Sequence, residues 1–170
     1  TWTKTEIDID KNLSDVYFFD EKHGWAIGAG GMIVATEDGE RWEMQTSKVG
    51  NDLYGVYFVS EKIGFAVGMG ETVLQTTNGG NTWKILRGGE AGGGVGEDDT
   101  SVFNTIHFVG DSLGWVAGVR LSPSTGGQDG LIQKTIDGGE NWTDQPTNIE
   151  DILKDIFFVN ASTGWAVGEN

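Results

Sequence analysis

The chain has 170 residues, of which 26 are acidic and 11 are Lys or Arg, giving a net charge of −15. Such a surface repels nucleic acid and anionic membrane surfaces, so neither is an expected partner. No cysteine is present, which excludes a disulfide framework and a thiolate metal site, and no apolar run approaches the ~18 residues of a membrane-spanning helix.

In chain order, residues 1–4 (TWTK) match the start of a fourth strand seen again at 82–84 (TWK). Residues 15–20 (DVYFFD) read as a first strand, 24–28 (GWAIG) as a second and 32–36 as a third, followed by the turn TEDGERW at 36–42. The same order returns at 53–60 (LYGVYFVS), 64–68 (GFAVG), 72–77 (TVLQTT), the turn TNGGNTW at 77–83 and a fourth strand at 82–86. A third copy comprises 105–110, 114–118 (GWVAG), 131–135 and the turn TIDGGENW at 135–142. A fourth begins at 155–160 (DIFFVN) and ends with GWAVG at 164–168. No window sustains a 3.6-residue apolar period, so almost no helix is expected.

The Gly-aromatic motifs start at Gly24, Gly64, Gly114 and Gly164, a spacing of 40, 50 and 50 residues. That period, filled by four short antiparallel strands, predicts an all-β fold of propeller type. The expected organisation is one domain, 1–170, with repeats at 13–50, 53–90 and 103–147 and an incomplete blade joining 153–170 to 1–8. Three complete blades and one incomplete blade leave unpaired strand edges. A segment of a larger ring, completion by a second chain, and an open array pairing with its own copies are the readings this leaves.

The repeated turn is expected to be a folded plug. Asp38, Asn78 and Asp137, with the hydroxyls of Thr36, Thr76 and Thr135, are placed to accept backbone amide hydrogen bonds. Gly80 and Gly139 admit positive φ, and Trp42, Trp83 and Trp142 bury large rings. A carboxylate present in every copy stabilises the repeat, whereas a site breaks it, so no catalytic residue is expected. His23 occupies the slot of Ile63, Leu113 and Thr163, and His107 that of Tyr17, Tyr57 and Phe157; both read as substitutions within the repeat. Asp15 and Asp155, on first strands, are expected to face the central axis.

Two insertions break the period. Residues 88–101 (GGEAGGGVGEDDTS) carry Glu90, Glu97, Asp98 and Asp99, carboxylates of the kind that hold Ca²⁺, although their spacing fits no EF-hand loop and a flexible acidic linker accounts for them. No other cofactor is expected. Residues 120–130 (RLSPSTGGQDG) interrupt the third copy and carry Arg120, Pro123, Gln128 and Asp129, candidates for contact with a partner.

With GWAVG and TxDGGxxW in hand, the chain resembles the Asp-box propellers, and in particular the repeats of the photosystem II stability/assembly-factor family. The same turn is shared more distantly with bacterial sialidases, xyloglucanases and sortilin-type receptors. The resemblance implies a non-enzymatic, exported adaptor that binds a membrane-protein partner, partly through an arginine-rich patch. This chain has only Arg41, Arg87 and Arg120, so architecture and adaptor character are carried over and the client is not. The leading expectation is a scaffold that binds another protein. The alternatives are a self-assembling structural or cell-surface protein and a carbohydrate-binding or glycosidase-type propeller. Tyr17, Tyr54 and Tyr57 at repeat positions, with three arginines, do not supply a convincing sialidase set.

Overall fold

A computed structural model describes residues 7, 9–89, 101–122 and 127–169. Among the described residues fourteen strands form four antiparallel sheets in sequence order. The first sheet is β1 (Leu13–Phe18), β2 (Gly24–Gly28), β3 (Ile33–Thr36) and β4 (Glu43–Gln45). The second is β5 (Leu53–Phe58), β6 (Gly64–Gly68), β7 (Val73–Thr76) and β8 (Lys84–Arg87). The third is β9 (Val102–Val109), β10 (Leu113–Ser122), β11 (Gly127–Thr135) and β12 (Thr143–Gln145). β13 (Leu153–Asn160) and β14 (Thr163–Gly168) make a two-stranded fourth. Apart from one 3₁₀ turn at Ala29–Gly31, the described residues contain no helix. The described residues make a partial β-propeller of three four-stranded blades and one two-stranded one. The expected fourth-strand role of residues 1–8 falls almost wholly outside the described residues.

The core lies between blades rather than within them. Trp25, Ile27 and Ile33 of the first sheet pack on Val56, Phe58, Leu74 and Trp83 of the second. Phe65, Val67 and Val73 meet Phe103, Ile106, Phe108 and Val116 of the third. Trp115 and Ala117 meet Leu153 and Ile156 of the fourth. One contact recurs at each joint. Trp25 stacks on Phe58 with centroids 3.5 Å apart, Phe65 on Phe108 at 4.2 Å, and Trp115 on Phe158 at 3.6 Å.

The Gly-aromatic-x-x-Gly motif is the requirement of that contact. The Phe of each first strand pairs across the sheet with the first glycine of the motif: Phe18 with Gly24, Phe58 with Gly64, Phe108 with Gly114, Phe158 with Gly164. A Cβ at Gly24, Gly114 or Gly164 would stand 2.7, 2.6 or 2.5 Å from its Phe ring. The ring therefore lies flat over the glycine and offers its other face to the preceding blade. The last glycine of each motif, Gly28, Gly68, Gly118 and Gly168, admits a close approach by the first strand, where a Cβ would strike a backbone carbonyl. The register shifts at the same place in all four blades. On β14, Trp165 is 61% exposed, whereas Trp25 and Trp115 are 3% exposed, because no further sheet faces it among the described residues.

Gly64→Ala should lower stability by about 1–3 kcal/mol by overpacking against Phe58. Urea unfolding with circular dichroism checks this, with Gly50→Ala as the control because an added Cβ there meets nothing within 4 Å.

Candidate functional site

The three turns fold on their own polar atoms. In the first, Thr36 Oγ1 accepts the Gly39 amide at 2.9 Å, and Asp38 Oδ1 accepts those of Glu40 and Arg41 at 2.9 and 2.8 Å. In the second, Thr76 Oγ1 accepts from Gly80 at 2.8 Å and Asn78 Oδ1 accepts from Thr82 at 2.9 Å. In the third, Thr135 Oγ1 accepts from Gly139 and Asp137 Oδ1 from Asn141, both at 2.9 Å. The side-chain and backbone hydrogen bonds from Asn141 hold the Asp137 carboxyl at about 2, below the ordinary 3.8. Backbone amides of Arg41 and Glu40 lower Asp38 in the same way.

These turns also tie blade to blade. Trp25 Nε1 and Gln45 Nε2 donate to the Gly79 carbonyl at 3.0 and 3.1 Å, and Gln75 Nε2 to that of Gly138 at 3.2 Å. Trp83 donates across the same joint to Gln45 Oε1 at 3.1 Å, whereas Trp142 donates within its own turn to the carbonyl of Gly139 at 2.9 Å. Of the three turn tryptophans only Trp83 is fully buried; Trp42 and Trp142 are half-buried, with Trp42 edge-on to Phe18.

First strands pack side by side, β1 on β5, β5 on β9 and β9 on β13. Along them runs a ladder of tilted rings: Tyr17 to Tyr57 at 5.1 Å, Tyr57 to His107 at 5.0 Å, His107 to Phe157 at 4.7 Å. Tyr57 donates its hydroxyl to the Phe108 carbonyl at 3.1 Å, and His107 Nε2 donates to that of Phe158 at 2.9 Å. The histidine thus reproduces one blade later the hydrogen bond of the tyrosine it replaces. Burial pushes its pKa down, opposed by that bond and by Asp155. Asp15 and Asp155 are spent on the neighbouring blade: Asp15 Oδ2 accepts the Val56 amide and Asp155 Oδ1 accepts the Thr105 hydroxyl, both at 2.9 Å. Burial raises the Asp15 carboxyl, against the amides of Val56 and Val16, with the charge of Asp155 adding to the rise.

The described residues that flank the two breaks meet at one end of the strands. β8 leads into residues 88–101, which end at β9, and Val102 at the start of β9 pairs with Val119 near the end of β10. The turn between β6 and β7 is pinned there too, with the Gly70 and Glu71 amides donating to the Ser101 carbonyl at 3.0 and 3.2 Å. The insertion at 120–130 is not a loop over most of its length. Arg120 pairs with Asp129, Leu121 with Gln128 and Ser122 with Gly127, so β10 and β11 continue past their sheet as a hairpin. Val119, Leu121 and Leu131 give these stretches strand character that extends the ladder of the third blade.

Beneath this face runs a charge network that the sequence did not disclose. Glu71 is 7% exposed and ion-paired with Arg87. Arg87 donates to Gln133 Oε1 at 2.8 Å, and Gln133 Nε2 to Asp144 Oδ1 at 2.7 Å. Arg120 straddles the Asp144 carboxylate with contacts of 3.2–3.3 Å. Arg120 holds the Asp144 carboxyl below its usual range, with Gln133 helping. Glu71 takes φ +51° at the position where the first blade has Gly31 at φ +72°. That glutamate-for-glycine exchange is the signal a closer alignment of the copies offers. Gln128 and Asp129 are exposed on the hairpin and Arg120 is half-buried. Glu90, Glu97, Asp98, Asp99 and Pro123 lie outside the described residues.

The fold and these joints define a blade-repeat segment of a β-propeller. The chain belongs to the photosystem II assembly factor YCF48 family, whose sequence model matches residues 1–54 and 40–148. The chloroplastic photosystem II stability/assembly factor HCF136 of Guillardia theta is 39% identical over 49 residues, a stretch covering 27% of this chain and 12% of that protein. A solved structure described as YCF48 bound to D1 peptide superposes with a TM-score of 0.67 at 21% identity, over 88% of this chain and 45% of that one. The chain therefore spans less than half the length of that relative. Among the described residues no helix is long and apolar enough to cross a membrane.

The Asp137 carboxylate contributes stability that is fully present above pH ~4 and is lost as the pH falls through its folded value of about 2. Asp137→Asn, which places there the residue the second blade carries at Asn78, keeps the acceptor oxygen without the titration. The stability difference between wild type and variant should shrink between pH 4 and 2, measured by urea unfolding at each pH.

Proposed function

We propose that this chain is a non-enzymatic protein-binding scaffold of an exported assembly factor, which docks a segment of its client at the end of the strands where β10 and β11 extend past their sheet. The observation that carries this reading is that the strand extension at 119–122 and 127–130 stands beside the residues flanking the other break, Ser101 and Val102, over a floor of buried and half-buried charge from Glu71 to Arg120. A protruding hairpin on a rigid array of sheets suits recognition of another chain. Arg120, Gln128 and Asp129 are the residues assigned to contact it. The repeated carboxylates are engaged by their own turns or by the neighbouring blade, which supports a structural and not a catalytic use for them. The relative whose solved structure holds D1 peptide supports a peptide as the class of ligand. HCF136 is named chloroplastic, which supports a lumenal or otherwise exported setting.

The test is fluorescence anisotropy of a labelled D1 peptide titrated with the chain. Saturable binding that weakens about tenfold or more in Arg120→Ala, a loss of about 1.4 kcal/mol, with the circular dichroism spectrum unchanged, is the expected result. Equal binding by wild type and variant would remove the hairpin face from the contact.

A further inference from the structure

On the opposite end of the strands, the turn joining β1 to β2 comes up against the equivalent turn of the second blade. Asp20 and His23 stand on the first and Glu61 on the second. One ligand atom from each, the histidine nitrogen and a carboxylate oxygen from each acid, lies within 4.8 Å of the others. His23 Nδ1 is 3.0 and 2.9 Å from the two Asp20 oxygens. The Asp20 carboxylate is aimed by its own backbone, since Oδ1 accepts the amides of Lys22 and His23 at 2.7 and 2.8 Å. The same groove is lined by Trp25, Glu37, Asn78 and Gly79.

Three features set this cluster apart from scattered surface charge. It includes an imidazole at a position where the next two blades place Ile63 and Leu113, so the repeat is broken at the one residue that adds a nitrogen ligand. Its members come from two blades, so a bound ion would bridge a joint. Its Asp20–His23 pair is already in contact, with Nδ1 3.0 and 2.9 Å from the two carboxylate oxygens, so a cation can be held between them without moving either side chain far. Glu61 and Glu37 add to the negative potential at His23. Imidazole nitrogen and carboxylate oxygen are both zinc ligands, and three protein ligands leave a fourth position of a tetrahedral site for water.

The geometry points to a divalent-cation site of the zinc class at Asp20, His23 and Glu61, clasping the first and second blades together. It is independent of the client-binding face, which lies at the other end of the strands. The ion strengthens a joint otherwise made by the Trp25–Phe58 stack and the Trp25–Gly79 hydrogen bond.

The experiment is isothermal titration of the chelator-stripped chain with ZnCl₂, with thermal unfolding recorded alongside. Wild type should bind one equivalent at this site, and its unfolding temperature should rise with zinc, because a ligand that binds only the folded state stabilises it by mass action. His23→Ile installs the residue native to the second blade, so the fold is retained. It should lose at least tenfold in affinity and most of the thermal shift. Glu61→Gln should weaken both to a lesser degree. Unchanged affinity and thermal shift in His23→Ile, or no saturable binding by wild type, would overturn the assignment.

Discussion

Each blade of this protein is held to the next by one aromatic ring lying on another. A blade of strands three to ten residues long cannot bury its own faces, so stability has to come from the joints. The joints depend on glycine as much as on the aromatics. Gly64 leaves room for Phe58 to lie flat, and the exposed side of that ring becomes the seat for Trp25. Put any side chain at Gly64 and Phe58 must tilt, the seat is lost, and Trp83 loses the ring it meets edge-on. The glycine at the other end of the motif serves the neighbouring requirement, admitting the first strand so closely that its register shifts. The motif that marks the repeat in sequence is thus the mould of the inter-blade contact.

Polar groups are arranged to the same end. Tyr57 and His107 reach the carbonyl of a phenylalanine in the next blade, while Asp15 and Asp155 engage the backbone or hydroxyl of a neighbour. The threonines and acids of the turns satisfy local amides, and glycine carbonyls of those turns take up Trp25 and Gln45. Repeated chemistry is consumed in holding the array. What remains for recognition is where the copies differ: Glu71 in place of a glycine, a hairpin longer than its counterparts, and His23 in an aliphatic slot. The first two fall on one face and the third on the other, giving the array two ends with different chemistry.

Strand order, the four copies and the turn residues were legible in the sequence because each is a local, periodic property. Alternation in LYGVYFVS and the Thr-Asp-Gly spacing of the turns need no knowledge of neighbours. The charge network was not legible, because Glu71, Arg87, Gln133 and Asp144 come from two blades and meet only once the stacks have set the distance between sheets. The metal-type cluster escaped for the same reason: His23 compared with Ile63 reads as a tolerated exchange until Glu61 is brought beside it. The extent of β10 and β11 was not legible because the Ser, Pro and Gly content of residues 120–130 masks the strand character of the flanking Val119, Leu121 and Leu131, which carry the ladder outward.

If the ring-on-ring contact is the joint on which the array depends, the energies of its two members must be coupled. A double-mutant cycle on Phe65 and Phe108, each replaced by Leu singly and together and followed by urea unfolding, measures this directly. The account predicts a coupling of about 0.5–1.5 kcal/mol beyond the loss of buried area. Simple additivity of the two losses would mean that the blades are joined by undirected apolar burial, and would contradict it.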